Sequence, residues 1–380
     1  MSMTTNLAAP LPGGSDDPAL RRIADQILGA KAPLAIRGGG TKHFYGEAVQ
    51  GEPLDVSPLS GISSYEPTEL VVTVRAGTPL AELEAALAEK GQCLPFEPPR
   101  FASTAHPELR GGTVGGMVAS GLAGPSRAAV GGVRDYVLGA TMLNGRAELM
   151  SFGGQVMKNV AGYDVSRLLA GSMGILGVIC EVSLKVLPVA PASATLCFLL
   201  DEATAIRRLN EWGGLPLPIN ASAWRDGHLY VRLRGARAAV GDAQRRMGGD
   251  LVEPAVAEPL WLGLRDHTGT YHTRALDAVE AGQSLWRLSV PSTVPPLGLA
   301  GESLLEHGGA QRWLVTGAPA AEVRGAAARA GGHATLFRTQ DKSPGVFAPL
   351  ASPLDRLHRQ LKQAFDPASI FNPGRLYPGL

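Results

Sequence analysis

The order of apolar and polar positions divides this chain into short strands and helices punctuated by glycine and proline. SDDPALRRIADQILGA reads as a helix. Asp17 suits its N-cap, and Pro18 takes the first helical position, where a missing N–H costs little. PLAIRGGGTK is a short strand running into a glycine turn, and ELVVTVRAG supplies a second strand from Leu70 to Arg75. Thr78–Pro79 opens the helix LAELEAALAEK, which Gly91 closes. PFEPPRFA is a loop stiffened by Pro95, Pro98 and Pro99. YVLGATML and AELMSF are strands joined at Asn144–Gly145, a strong hairpin signal. Residues 162–174 read as a short helix, and GVICEVSLKVLP as a strand whose apolar run reaches Pro188.

Past a proline- and alanine-rich stretch at 188–194 the pattern starts again. HLYVRLRG, SLWRLSVP, QRWLVTG and HATLFR are strands, with helical segments at 238–248 and 319–330. The helix SPLDRLHRQLKQAF then leads into DPASIFNPGRLYPGL. This is an α+β chain of two units: a first unit at 16–188, a smaller α+β unit at 195–350, and a C-terminal helix and tail at 351–380 that return to the first. Residues 1–15 read as a disordered tail.

Composition narrows the function. The 380 residues carry a net charge of +1, so no overall field draws the chain to nucleic acid or anionic lipid. No apolar run is long enough for a membrane span, and the N-terminus lacks the basic region of a signal peptide. A cytoplasmic location is expected. Cys93, Cys180 and Cys197 are too scattered for a disulfide framework or an iron–sulfur cluster, and read as buried thiols. Glycine is the outlier: its 48 residues are about twice the usual share. Ten of them fall between Gly111 and Gly145 in an otherwise apolar stretch, which marks backbone pressed close to something.

Two glycine clusters carry the candidate chemistry. Arg37-Gly38-Gly39-Gly40-Thr41-Lys42 follows a strand, and its glycines can aim successive N–H groups into one concavity that favours an anion. Arg37, Lys42 and the Thr41 hydroxyl add to its suitability for a pyrophosphate. Neither a P-loop nor a G-x-G-x-x-G fingerprint is present, since position 43 is His. Gly111-Gly112-Thr113-Val114-Gly115-Gly116-Met117-Val118-Ala119 would let backbone run along an extended ligand. The two clusters together point to one long diphosphate ligand. The plainer readings are a tight turn for the first and close helix–sheet packing for the second.

These motifs resemble the FAD-binding fold of the vanillyl-alcohol oxidase and p-cresol methylhydroxylase superfamily. The marks are IRGGGTK at 36–42, GGTVGGMVA at 111–119, VRDYVLGATMLNG at 133–145 and KNVAGYDVSRLLAGSMGILGVICEVSLKVLP at 158–188. FDPASIFNPGR at 365–375 is similar to the C-terminal motif of FAD-linked oxidases. Within that superfamily the order of motifs is most similar to the FAD-binding E-subunit family of bacterial glycolate oxidases.

The resemblance implies a two-part FAD-binding domain and a smaller cap. The cofactor contacts it implies are Arg37, Gly38, Gly39, Gly40, Thr41, Lys42, Pro95, Gly112, Thr113, Val114, Gly115, Gly116 and Ala119. Gly177, Val178 and Ile179 would approach the adenosine end. Some members tether FAD to a histidine in the first glycine loop. That position falls on Thr41 or Lys42 here, next to His43, so noncovalent FAD is expected. Asn372 and Arg375 would lie near the flavin or the substrate mouth.

The resemblance also implies a small 2-hydroxy acid as substrate. Its partners would be a second FAD-linked oxidase subunit and an iron–sulfur subunit, through which the chain would reach the inner membrane. Arg287, Arg338 and Arg375 are candidates for a substrate carboxylate, because guanidinium binds it bidentately. His267 and His272, with Asp266 and Asp277 nearby, show no convincing metal-ligand arrangement, nor does His333, so no metal is expected. No catalytic base can be assigned, which leaves three readings open. They are an FAD subunit of a glycolate oxidase complex, a self-sufficient 2-hydroxy-acid dehydrogenase, and a structural subunit with an empty cleft. Trp286 and Trp313 read as core residues. Lys158 and Asn159 are candidates to face the cleft, and Asp164 and Arg167 to brace the adjoining helix.

Overall fold

The computed structural model describes residues 9–10, 17–102, 111–154 and 164–380. Two sheets organise it, and both are antiparallel throughout. The first runs, in spatial order, through Ala9–Pro10, Glu148–Gly153, Val137–Leu143, Val178–Lys185, Val71–Arg75 and Ile62–Glu66. The second begins at Ala192 and has eight strands, in the order Asp250–Val252, Ala192–Leu199, His228–Gly235, Ile219–Arg225, Glu302–Glu306, Gln311–Thr316, Ser284–Ser289 and His333–Arg338. Helices pack on both, so the chain is α+β as the pattern implies.

The core of the first unit lies on the face of the sheet where Val72, Val74, Met142, Val182 and Leu184 point inward. Leu80, Leu83 and Leu87 of the helix Leu80–Ala88 close over it, as do Val114, Met117 and Val118 of the helix Val114–Ser120. The apolar residues of the central strand Val178–Lys185 explain its position: it is buried on both faces and pairs with Val137–Leu143 and Val71–Arg75. On the other face, Ile23, Ala24 and Ile27 of the helix Pro18–Gly29 cover Val178 and Leu143. Asp17 caps that helix through the amides of Ala19 and Leu20.

A separate parallel pair, Leu34–Arg37 with Glu52–Asp55, carries the first glycine turn. The C-terminal tail adds itself to this pair. The Leu34 N–H donates to Ile370, and the Asn372 N–H donates back to the Leu34 carbonyl. The tail is fixed by the buried pair Lys362–Asp366. Lys362 Nζ lies 2.7 Å from the carboxylate and also donates to the carbonyls of Ile175 and Phe371.

Local structure departs from the sequence reading in three places. The short helix expected over 162–174 is, among the described residues, a single 3₁₀ turn, Ser166–Leu169. Gly171 and Gly174, both at positive φ, stop it. Asp164 does brace this turn, accepting from the Ser166 hydroxyl and pairing with Arg167 at 2.9 Å. The second glycine cluster is partly helical: Thr113 caps Val114–Ser120, and Gly121 ends it in the left-handed conformation. The second unit holds three helices that its sequence pattern hides, Glu202–Gly213, Pro254–Asp266 and Thr270–Glu280. Pro259 inside the second of these breaks the sequence signal but not the helix. Trp286 and Trp313 are core residues. The 1–8 and 11–15 parts of the expected tail, and Lys158 and Asn159, lie outside the described residues.

Candidate functional site

The two glycine clusters meet. A Cβ on Gly112, which sits at φ +81, would lie 2.6 Å from the Thr41 hydroxyl and 3.3 Å from Lys42 Nζ. One on Gly38 would collide with the Thr113 hydroxyl. Side-chain-free backbone therefore lets the loop Gly38–Lys42 lie against the N-cap of Val114–Ser120. Together they wall a cavity of about 360 Å³. Arg37 to Lys42, Thr113, Gly116 and Ala119 all line it.

The rest of the expected cofactor set lies off this wall, for identifiable reasons. Pro95 is buried with its carbonyl accepting from the Ser126 hydroxyl at 2.5 Å. Val114 belongs to the core, and Gly115 is a glycine because Ala76 lies against its α-carbon. Gly177 closes on the Leu143 carbonyl, and Val178 and Ile179 are strand residues paired with Leu143 and Met142.

The cavity has the polarity of an anion site. Among the described residues, the amides of Gly38, Gly39, Gly40 and Thr41 have no acceptor. Gly39 and Thr41 are buried, and buried N–H groups are rarely left so, which points to a ligand that accepts from them. The Lys42 ammonium is enclosed by protein, and its recorded partners are the Thr41 hydroxyl at 3.2 Å and the face of Phe101. Burial, with no carboxylate partner among the described residues, pushes its pKa down to about 8. Loss of water lowers the pKa of His43 as well, and Arg37 and Arg375 lower it further. A diphosphate supplies the acceptor atoms and negative charge that this wall lacks.

The four catalytic candidates separate into two kinds. Asn372 and Arg375 reach the cavity, but their polar atoms are committed to backbone. Asn372 accepts from the Ile36 amide at 2.9 Å and donates to the Met173 carbonyl at 2.7 Å. Arg375 donates to the carbonyls of Glu47, Lys42 and His43. These bonds tie the tail to the strand and loop beside the cavity, a bracing role additional to the expected substrate contact. Arg287 donates to the Tyr45 hydroxyl at 2.9 Å. Arg338 differs from all three. Its guanidinium lies 3.3 Å from the centre of the Phe44 ring and has no hydrogen-bond acceptor among the described residues. Burial pushes its pKa down to about 10.

Beside Arg338 lies a cluster that sequence spacing did not reveal. His267 ends the helix Pro254–Asp266 in the left-handed conformation, and His272 sits in the first turn of the next helix. Their rings stack at 4.0 Å. Phe101 touches both this pair and Arg338. Neither nitrogen of His272 has a partner. Burial first, then the Arg338 charge, holds His272 down at about 3, so its imidazole is neutral. Phe44 and Lys342, which also belong to the site, carry no sequence signal: their roles come from contacts across about 300 residues.

Comparison with known proteins agrees with this geometry. The family described as FAD binding domain matches residues 16–153. The chain is 45% identical to the glycolate oxidase subunit GlcE of Escherichia coli (strain K12), over 95% of this chain and 97% of that one. It is 29% identical to the glycolate oxidase subunit GlcD of Bacillus subtilis (strain 168), over 51% of this chain and 40% of that one. It is 30% identical to a D-2-hydroxyglutarate dehydrogenase of Xanthomonas citri pv. viticola, over 52% of this chain and 40% of that one. Among solved structures, an alkyldihydroxyacetonephosphate synthase superposes with a TM-score of 0.63 at 13% identity, over 93% of this chain and 74% of that one, a likeness of fold.

Proposed function

Because this chain belongs to the family of the glycolate oxidase subunit GlcE and is an FAD-linked oxidoreductase, we propose that it is the FAD-holding subunit of a complex that oxidises glycolate to glyoxylate. Its partners in that reading are a second flavoprotein and an iron–sulfur subunit, and contact with a membrane would come through the complex. No helix among the described residues is long and apolar enough to cross a membrane.

One observation supports the reading most directly: four loop amides without acceptors and a buried lysine without an acid face the same cavity. The amides of Gly38–Thr41, with Lys42 and Thr113, hold the cofactor diphosphate. The binding is noncovalent, since Thr41 and Lys42 stand at the tether position. Acid precipitation tests this: the flavin goes to the supernatant, whereas flavin retained in the pellet, with His43 as the nearest nucleophile, overturns it.

Bound FAD supplies a two-electron acceptor for the hydride of a CH–OH group. The chain's own residues would orient the substrate. Arg338, stacked on Phe44, presents the edge of an unpaired guanidinium and suits the carboxylate of a 2-hydroxy acid. Residues 16–188 then form the FAD-binding unit, 195–350 the cap, and 351–380 the returning tail.

A second reading, a self-sufficient 2-hydroxy-acid dehydrogenase, draws on His272. In that reading the neutral imidazole of His272, near Arg338, would accept a hydrogen bond from the substrate hydroxyl through its one unprotonated nitrogen. Purification of the chain alone separates the readings. A yellow protein that glycolate leaves oxidised until the partner subunits are added fits the first. Bleaching by glycolate or D-lactate without partners fits the second, and colourless protein that takes up no FAD defeats both.

A further inference from the structure

Five carbonyl groups in the stretch from Lys42 to Glu47, directly after the glycine turn, are held by two cations that also line the cavity. Arg375 takes those of Lys42, His43 and Glu47, at 2.5–3.3 Å. Lys342 takes those of Phe44 and Gly46, at 3.0 and 2.6 Å. The cations come from different parts of the chain, Arg375 from the tail and Lys342 from the segment that leaves the last strand of the cap. They stand close enough for the Arg375 charge to add to the burial that lowers the Lys342 pKa. Two like charges remain together because backbone oxygens and Glu47 surround them. These bonds fix the path of residues 42–47, the stretch that follows directly on the amides of Gly38–Thr41, and so anchor the C-terminal end of the glycine turn.

The Lys342 segment is itself tied at both ends. Arg324, on the cap helix Ala320–Arg329, donates to the carbonyls of Pro344 and Gly345. The Val346 amide donates to the Glu47 carboxylate at 2.5 Å and the Leu336 amide to the Val346 carbonyl. The same stretch starts at Arg338, which lies on Phe44, the residue whose carbonyl Lys342 holds. Cap and anion loop are thus joined through one segment, residues 338–347.

We propose that Lys342 and Arg375 are positioning residues that orient the anion loop, and that seating of residues 339–347 and occupancy of the FAD site are one linked equilibrium. By reciprocity, whatever FAD binding gains from the seated segment, the segment gains from bound FAD. The inference rests on the FAD reading above, and its test is independent of turnover.

In wild-type protein, amide hydrogen exchange over 339–347 should slow by about fivefold or more when FAD is added. Lys342→Met, which keeps most of the side-chain length and removes the donors, should weaken FAD binding about tenfold by flavin fluorescence. The melting temperature of its apoprotein should stay within about 2 °C of wild type. Lys342→Arg should restore most of the affinity. Exchange that FAD leaves unchanged in the wild type overturns the proposal, even if the variant does not fold. So does a Lys342→Met protein that binds FAD as wild type does. Wild-type protein that fails to bind FAD at all defeats the functional reading instead.

Discussion

Two clusters of cations in this molecule, each removed at least in part from water, differ in how their charge is balanced. At the junction of the proline-rich loop with the cap, Arg232 and Arg234 converge on Glu97 at 2.7–3.1 Å, and Arg232 also donates to Asn220. Burial would raise the Glu97 pKa, but the guanidinium groups more than reverse this and hold it below the ordinary carboxylate range. Nearby, Arg265 clasps Asp266, which accepts from the Arg100 amide. Around the glycine cavity, by contrast, Lys42 and Arg338 lose water and gain no carboxylate among the described residues. The first cluster is complete and holds two units together. The second is electrically unfinished among the described residues, and in the function proposed above the cofactor diphosphate and the substrate carboxylate would complete it. Between these two clusters the loss of water is shared, and the counter-charge is what differs.

The largest expected effect comes from filling the space that the unfinished site keeps open. Gly38→Val places a branched side chain on the Thr113 hydroxyl, and should leave the purified protein colourless, with FAD affinity reduced about 100-fold or more. Next in size, Glu97→Ala strands Arg232 in the complete cluster. It should cost about 3–4 kcal/mol in urea unfolding while the folded fraction keeps its affinity for FAD. Loss of FAD affinity without loss of stability would reverse the roles assigned to the two clusters.

Lys42→Met should weaken FAD binding about tenfold and leave the apoprotein as stable as wild type or more so. The pH dependence has a definite sign. Free protein loses the Lys42 proton above about pH 8, and phosphate contact restores it, so binding takes up a proton. Wild-type affinity should then fall as pH rises above about 8, by at most about tenfold per pH unit, and Lys42→Met should remove this slope.

The smallest effect concerns a buried acid. Glu306 accepts from Trp313 and Gln311, and burial pushes its pKa up to about 7 from an ordinary 4.5. The folded state thus binds more protons than the unfolded one between those values, and this contribution to stability is lost as pH rises through 7. Glu306→Gln should flatten thermal stability over that window, and an unchanged profile would place the titration elsewhere.

The anion loop was legible in the sequence because its chemistry is local: Gly38–Thr41 supply their own amides, and Gly112 is a glycine because a neighbouring loop touches it. The strands Val71–Arg75, Val137–Leu143 and Val178–Lys185 were legible as runs of valine, isoleucine and leucine, whereas their order in the sheet was not. The roles of Asn372 and Arg375 were not legible. Their place near the cavity follows from a tail motif, but whether a donor faces ligand or backbone depends on partners more than 300 residues away. The His267–His272 stack was hidden for another reason. Five residues apart suggests neither a helix face nor a metal pair, and only the turn between two unforeseen helices brings the rings together.

The return of the tail to the strand at Leu34 has a consequence for biosynthesis. The residues that brace the anion loop, Phe371, Asn372 and Arg375, leave the ribosome more than 300 residues after the loop itself. Flavin capture must therefore wait until these residues have emerged, and a chain stopped before them would present its glycine-rich segments without the support that shapes them.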